Sequence, residues 1–176
     1  MKLMKVKWYK VVVWISIGIV ALFFVFAVWY KYEYSMDSVV PYSINSSTLQ
    51  TKLLIATQGS NFKNTVTQGV LDYYKANPVF IEVIDVSTLS DIKPIDYTAI
   101  LVMHTWEYGK PPEAVQSFMD ENSNSKNKMV VLTTSGEGSE RMEDVDAISG
   151  ESILEDAPDV VAEIVGQLNS IIVTEN

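Results

Sequence analysis

Leu53-Leu-Ile-Ala-Thr-Gln-Gly-Ser-Asn-Phe-Lys-Asn-Thr65 is the stretch on which the fold turns. Leu53, Leu54 and Ile55 form a short apolar run that suits a buried strand. A polar loop follows at residues 57–61. A helical pattern then begins, with Phe62, Val66, Val70 and either Tyr73 or Tyr74 on one face. Strand, polar loop and helix together aim backbone N–H groups and a helix N-terminus at an anion, typically a phosphate. Ser60 or Asn61 would cap the helix in any case, so an ordinary capped turn stands as the equal alternative.

Outward from this unit, strand-like and helix-like segments alternate. The expected strands are 52–56, 79–86, 97–103 and 128–133, with a short fifth at 145–148. The expected helices run from about 61 to 75, ended by Asn77-Pro78, and onward from Pro111-Pro112, with Ala114, Val115, Phe118 and Met119 as the apolar stripe. Asp156 is read as the cap of a last helix with Pro158 in its first turn and a stripe of Val161, Ile164, Val165, Leu168, Ile171 and Ile172. Residues 87–96 leave room for a helical turn or two. Buried strands separated by amphipathic helices predict an α/β fold with a parallel sheet of about five strands and helices on both faces. In such folds a ligand sits outside the carboxyl ends of the strands. The loops there would be 57–61, 104–110 and 134–138, which are also dense in polar, glycine and aromatic residues.

Residues 11–30 carry no charge and are long enough, at about 1.5 Å per residue, to cross a ~30 Å hydrocarbon core. Trp8, Tyr9, Trp29, Tyr30 and Tyr32 flank them as interfacial residues do. A cleaved signal peptide would have a shorter core and a small-residue cleavage site, whereas bulky residues follow here. Lys2, Lys5, Lys7 and Lys10 precede the span and mainly Lys31 follows it, which predicts a cytoplasmic N-terminus and an extracytoplasmic remainder. The expected organisation is an anchor at 1–34, a linker at 35–50 and a domain at 51–176.

The chain has 13 Lys+Arg against 22 Asp+Glu, a formal net charge of −9. Five of those lysines lie in residues 1–34 beside Glu33 alone, so the remainder is strongly acidic. It has one Arg, Arg141, and one His, His104. A nucleic-acid partner is disfavoured, because phosphate backbones demand a basic face. The absence of Cys excludes thiol catalysis and thiolate metal sites, a single His excludes a His-rich metal centre, and no Ser-His-Asp set can be argued from it. The acidic run of Glu137, Glu140, Glu143, Asp144 and Asp146 reads first as a solvated surface, then as partner docking or weak cation binding.

From about 52 to 172 the chain resembles the flavodoxins, so a three-layer, doubly wound flavodoxin-like sheet is expected. TQGSNFKNT is similar to that family's phosphate loop, with Ser60 in place of its Gly and Phe62 in place of its closing Thr. HTWEYGKPPEAVQSF is similar to its loop after the third strand, and VLTTSGEG to its second flavin-ring loop. The resemblance implies FMN as cofactor. Thr57, Gly59, Ser60 and Asn61 would hold the phosphate, with Lys63 adding a cation. Thr105, Trp106, Tyr108 and Gly109 would form the stacking loop, with Trp106 or Tyr108 on the ring. Thr134, Ser135 and Gly136 would offer backbone donors to its pyrimidine edge. His104 would be a proton donor near the ring or a hydrogen-bonded loop residue. A weaker likeness at Asp146-Ala-Ile-Ser-Gly-Glu-Ser152 is to a motif that carries FMN covalently, with Ser152 as acceptor.

Two functions follow. One is a membrane-tethered, FMN-binding electron carrier, preferred over a hydrolase or transferase, with a redox or envelope protein as partner. The other is a flavin-free module of the same fold that serves binding in an envelope complex.

Overall fold

The computed structural model describes residues 7–34, 36–142 and 145–174. The chain divides between Met36 and Asp37 into two units. The first contains helix α1, Trp8–Tyr34. Within it Trp8–Tyr30 is apolar and long enough to cross a membrane, and its side chains are exposed rather than packed into a core.

The second unit is a six-stranded sheet with helices on both faces. Its elements are β1 (Tyr42–Ile44), β2 (Thr51–Thr57), α2 (Asn61–Tyr74), β3 (Val79–Asp85), β4 (Ala99–Thr105), α3 (Glu113–Glu121), β5 (Met129–Thr134), β6 (Ile148–Gly150) and α4 (Ala157–Thr174). The sheet order is β1-β3-β2-β4-β5-β6. All neighbours are parallel except β1, which lies antiparallel on β3. Without β1, the parallel strands follow the order 2-1-3-4-5 of flavodoxin-like sheets, whose order reverses between β2 and β4.

Strand alternation divides the core. Leu53, Ile55, Leu101, Met103, Val130 and Leu132 face α2 and α4, whereas Leu54, Ala56, Ile100, Val102 and Val131 face α3 and the 3₁₀ turns after β3. That two-sided burial explains the unbroken apolar runs of the central strands. Ser60 caps α2 in extended backbone, its hydroxyl accepting the Lys63 N–H at 3.2 Å. Gly69 lets α4 approach α2 closely, since a Cβ there would lie 2.7 Å from Val161 Cγ2. The Tyr74 hydroxyl donates to Asn169 Oδ1 at 2.8 Å and ties the same two helices together.

Several elements differ from the expectations. The stretch expected as a linker carries β1, and Asn45 closes its end. Asn45 has φ 67° and donates its side-chain amide to the Val79 carbonyl at 2.8 Å. The third parallel strand begins at Ala99 rather than at 97; Thr98 just ahead of it meets Lys52 of β2 twice, its hydroxyl accepting the Lys52 N–H at 3.1 Å and its own N–H donating to the Lys52 carbonyl at 2.9 Å. The last strand is at Ile148–Gly150, not 145–148. Val145 and Ala147 pack as loop residues over the α3-side core, and only Ile148 enters the other one. Asp156 closes a single 3₁₀ turn, Leu154–Asp156, that runs directly into α4.

Candidate functional site

The crevice between the carboxyl ends of β2 and β4 is where this topology places a ligand. Thr57 ends β2 and is buried, its hydroxyl donating to the Gln58 carbonyl at 3.1 Å. Gln58 turns inward. Its Oε1 accepts the Thr105 N–H at 2.7 Å and its Nε2 donates to Glu107 Oε1 at 3.1 Å. Gly59 exchanges two backbone hydrogen bonds with Asp37, donating at 2.7 Å and accepting at 3.1 Å. Only glycine fits there, since a Cβ would come within 2.6 Å of the Asp37 carbonyl oxygen. The segment after Asp37 stays on this edge, with the Val39 N–H donating to Asp85 Oδ2 at 2.8 Å. Ser60 is occupied by its capping bond, and Asn61 is exposed as the first helical residue.

Lys63 lies on the sheet-facing side of α2 with Phe62, Val66 and Val70, as the helical period dictates. It is 0% exposed. Its ammonium donates to the Thr105 hydroxyl, which in turn shares a 2.9 Å hydrogen bond with the Thr134 hydroxyl. Burial pushes the Lys63 pKa down to about 8, and the nearby Glu107 carboxylate opposes that fall. Side chains of the chain itself therefore fill the crevice: Gln58, Lys63, Thr105 and Glu107.

The residues expected to cradle a ring separate. Trp106 turns onto the α3-side core, with its N–H backbone group donating to the Thr134 carbonyl at 2.8 Å. Tyr108 and Gly109 have φ 54° and 75° and form the tip of a tight turn closed by Glu107 and Lys110. Tyr108 is 90% exposed. The Ser135 N–H donates to the Gly150 carbonyl at 3.2 Å, whereas Gly136 lies exposed. Ser152 is exposed beyond β6, and Ser149 and Gly150 of its motif are inside that strand.

His104, expected at the start of a loop, is inside β4 and 0% exposed. It pairs in register with Thr133, and alternation turns both to the face that α3 covers. Its pKa is pushed down to about 4, chiefly by burial, so the ring is neutral at pH 7. Of the acidic run, Glu143 and Asp144 lie outside the described residues. Among the described residues no group of three His, Cys, Asp or Glu is placed to hold a metal.

Sequence reasoning placed Gln58 and Glu107 within the loops of this edge but gave neither a role, and it did not find Asp37 there. A glutamine between a strand and a glycine gives no sign of its direction, and Asp37 reaches Gly59 only through the tertiary fold.

The residues present fit FMN incompletely. The helix N-terminus remains open at Asn61, which suits a phosphate. Gly59 is taken up by Asp37, the Lys63 ammonium points away from the loop, and the Glu107 carboxylate stands beside Gln58. A carboxylate there opposes a phosphate dianion.

The sequence matches no family model and no curated protein. Among solved structures, a flavodoxin from the domain Archaea aligns with 69% of this chain and 99% of its own at 15% identity, with a TM-score of 0.48. An oxidoreductase from Corynebacterium diphtheriae aligns with 73% and 99% at 14% identity, with a TM-score of 0.42. An NADPH-quinone reductase from P. pentosaceus aligns with 68% and 78% at 10% identity, with a TM-score of 0.33. By its own strand order and two-sided helical cover, the chain from Asp37 is a flavodoxin-like domain, and a long apolar helix that is a candidate anchor precedes it.

Proposed function

We propose that this protein is a membrane-tethered, flavodoxin-like binding module that works without flavin. The carrying observation is the filled crevice at the strand-order reversal, where Gln58, Lys63 and Thr105 interlock and Asp37 pairs with Gly59. A phosphate entering there would have to displace backbone hydrogen bonds and face Glu107. The module acts by contact at the membrane surface, in keeping with the binding role of a cell-envelope component. Lys2, Lys5, Lys7 and Lys10 ahead of the apolar helix favour an extracytoplasmic domain. A reporter fused after Asn176 reads out that side, and a cytoplasmic signal would reverse the assignment.

The second reading is an FMN-binding electron carrier. The open N-terminus of α2 and the exposed Tyr108 ring favour it. Ser60 and Asn61 would then hold the phosphate and Tyr108 would cover the ring, while flavin would supply the redox chemistry. Titration of the purified protein with FMN, followed by flavin fluorescence, separates the two. No quenching at high micromolar protein is expected, and no flavin in native or denatured material. Tight quenching would establish the electron carrier. Flavin retained by the denatured chain would point to Ser152.

A further inference from the structure

Tyr108 stands where the backbone suits it poorly. Tyr108 and Gly109 are the two central residues of the tight turn that Glu107 and Lys110 close, and both have positive φ, 54° and 75°. Asparagine followed by glycine is the favoured pair for such a turn, because most L side chains strain the backbone in the left-handed region. The tyrosine ring gains little from packing in return, since the residue is 90% exposed. A bulky residue held in that conformation, with its ring turned to the outside, points to a contact beyond the domain.

The position of the turn identifies the partner. Glu107 accepts a hydrogen bond from Gln58 at 3.1 Å, and the next residue, Gly59, is paired with Asp37. The Val39 N–H is fixed to Asp85 at the end of β3, and Val40 beside it is 81% exposed. Tyr108 and Val40 therefore protrude from the edge made by the carboxyl ends of the strands. The chain enters the domain at that same edge, and only residues 35 and 36 lie between α1 and Asp37. Three peptide steps span at most about 11 Å. In an anchored chain, a leash of that length keeps this edge of the sheet within reach of the lipid headgroups.

We propose that the Tyr108 turn docks the domain on the lipid surface itself, in a zwitterionic headgroup layer. The inference rests on the membrane-tethered reading above and names the contact through which the module meets the membrane. Tyrosine suits that layer, because its ring enters the apolar boundary while its hydroxyl stays with water and headgroups. A single ring binds weakly, but a short leash raises its effective concentration to the millimolar range, so a weak contact suffices. Asp37, Asp85, Glu107 and Glu137 lie on the same edge, so an anionic lipid surface repels it and a zwitterionic one does not.

The test uses the full-length protein in phosphatidylcholine vesicles, where flotation first shows whether the chain is anchored. The chain has no Cys, so an introduced cysteine carries a nitroxide at a single place. Lys110→Cys puts the label beside the tip, and Ile95→Cys puts it on an exposed residue ahead of β4, at the amino ends of the strands. Collision with oxygen, which concentrates in lipid, is compared with collision with a water-soluble nickel chelate. The oxygen-to-nickel ratio is expected to be several-fold higher at 110 than at 95. Adding phosphatidylglycerol at low salt is expected to lower the ratio at 110, and a rise would overturn the zwitterionic surface. Tyr108→Asn suits the turn, so the thermal midpoint should hold or rise while the ratio at 110 falls to that at 95. A chain that floats but gives equal ratios at 110 and 95 overturns the docking and leaves the tether standing, whereas a chain that does not float overturns both. Protection of the label at 110 from both relaxants would mark contact with a second copy, and a ratio unchanged by Tyr108→Asn would assign the contact to other residues. Either result overturns the proposal.

Discussion

Leu168→Ala is expected to lower the unfolding free energy of the domain by about 2–5 kcal/mol, the range for truncating a buried leucine. Leu168 is fully buried in the core between the sheet and α4, with Ile164 and Ile172 on the same stripe. The cost has two sources: lost transfer energy for the side chain and a cavity the neighbours only partly fill. Collapse is restricted here because α4 is fixed from two directions. Gly69 already brings α2 against Val161, and Asn169 is bonded to the Tyr74 hydroxyl one residue beyond Leu168. The loss should therefore fall in the upper part of that range. Denaturant unfolding followed by circular dichroism measures it, and a midpoint unchanged within error would mean that α4 contributes little to the core.

That stripe was legible in the sequence because a helix repeats every 3.6 residues and α4 is long enough to show several repeats. The same holds for β2, β3 and β5, whose apolar runs are bounded by polar loops. Their parallel pairing follows from the helices between them. β1 was illegible for a physical reason. Tyr42, Ser43 and Ile44 are too few to show a period, and the strand exists only because β3 offers an unpaired edge. The strand expected over 145–148 misled because Val145, Ala147 and Ile148 all look core-bound, yet they serve two cores on opposite faces. At the candidate site the positions of the loops were legible from topology. The directions of side chains within them were not. Lys63 illustrates this: its place after the loop suggested a phosphate cation, while its place in the helical period, beside Phe62 and Val66, turned it to the sheet. Two patterns competed for the same residue, and the helical one won.

Lys63→Met is accordingly expected to stabilise the domain at pH 7 by about 1–2 kcal/mol. The lysine is wholly buried, and desolvation carries its pKa from the ordinary 10.5 to about 8. At about 1.36 kcal/mol per unit, holding it charged in the folded state at pH 7 costs on the order of 3 kcal/mol. Removing its bond to the Thr105 hydroxyl gives back about 1 kcal/mol of that gain. Methionine nearly conserves the volume, and exchanging buried charge for apolar packing is often neutral or stabilising. The sign of the pH dependence follows from the lowered pKa. Between pH 8 and 10.5 the unfolded chain holds a proton that the folded chain has released, so wild-type stability should rise as pH increases through that window. The methionine variant should lack this rise. Near pH 10 and above, both proteins should lose stability, because burial raises the pKa values of Tyr74 and Tyr97, and the unfolded chain ionises them first. Denaturant midpoints at pH 7, 8 and 9.5 for both proteins test the argument. If the variant is less stable than wild type at pH 7, the Lys63 ammonium is a net stabilising clasp between α2 and the end of β4, with Glu107 outweighing the cost of burial. If instead the variant keeps the rise between pH 8 and 9.5, the proton responsible belongs to another group.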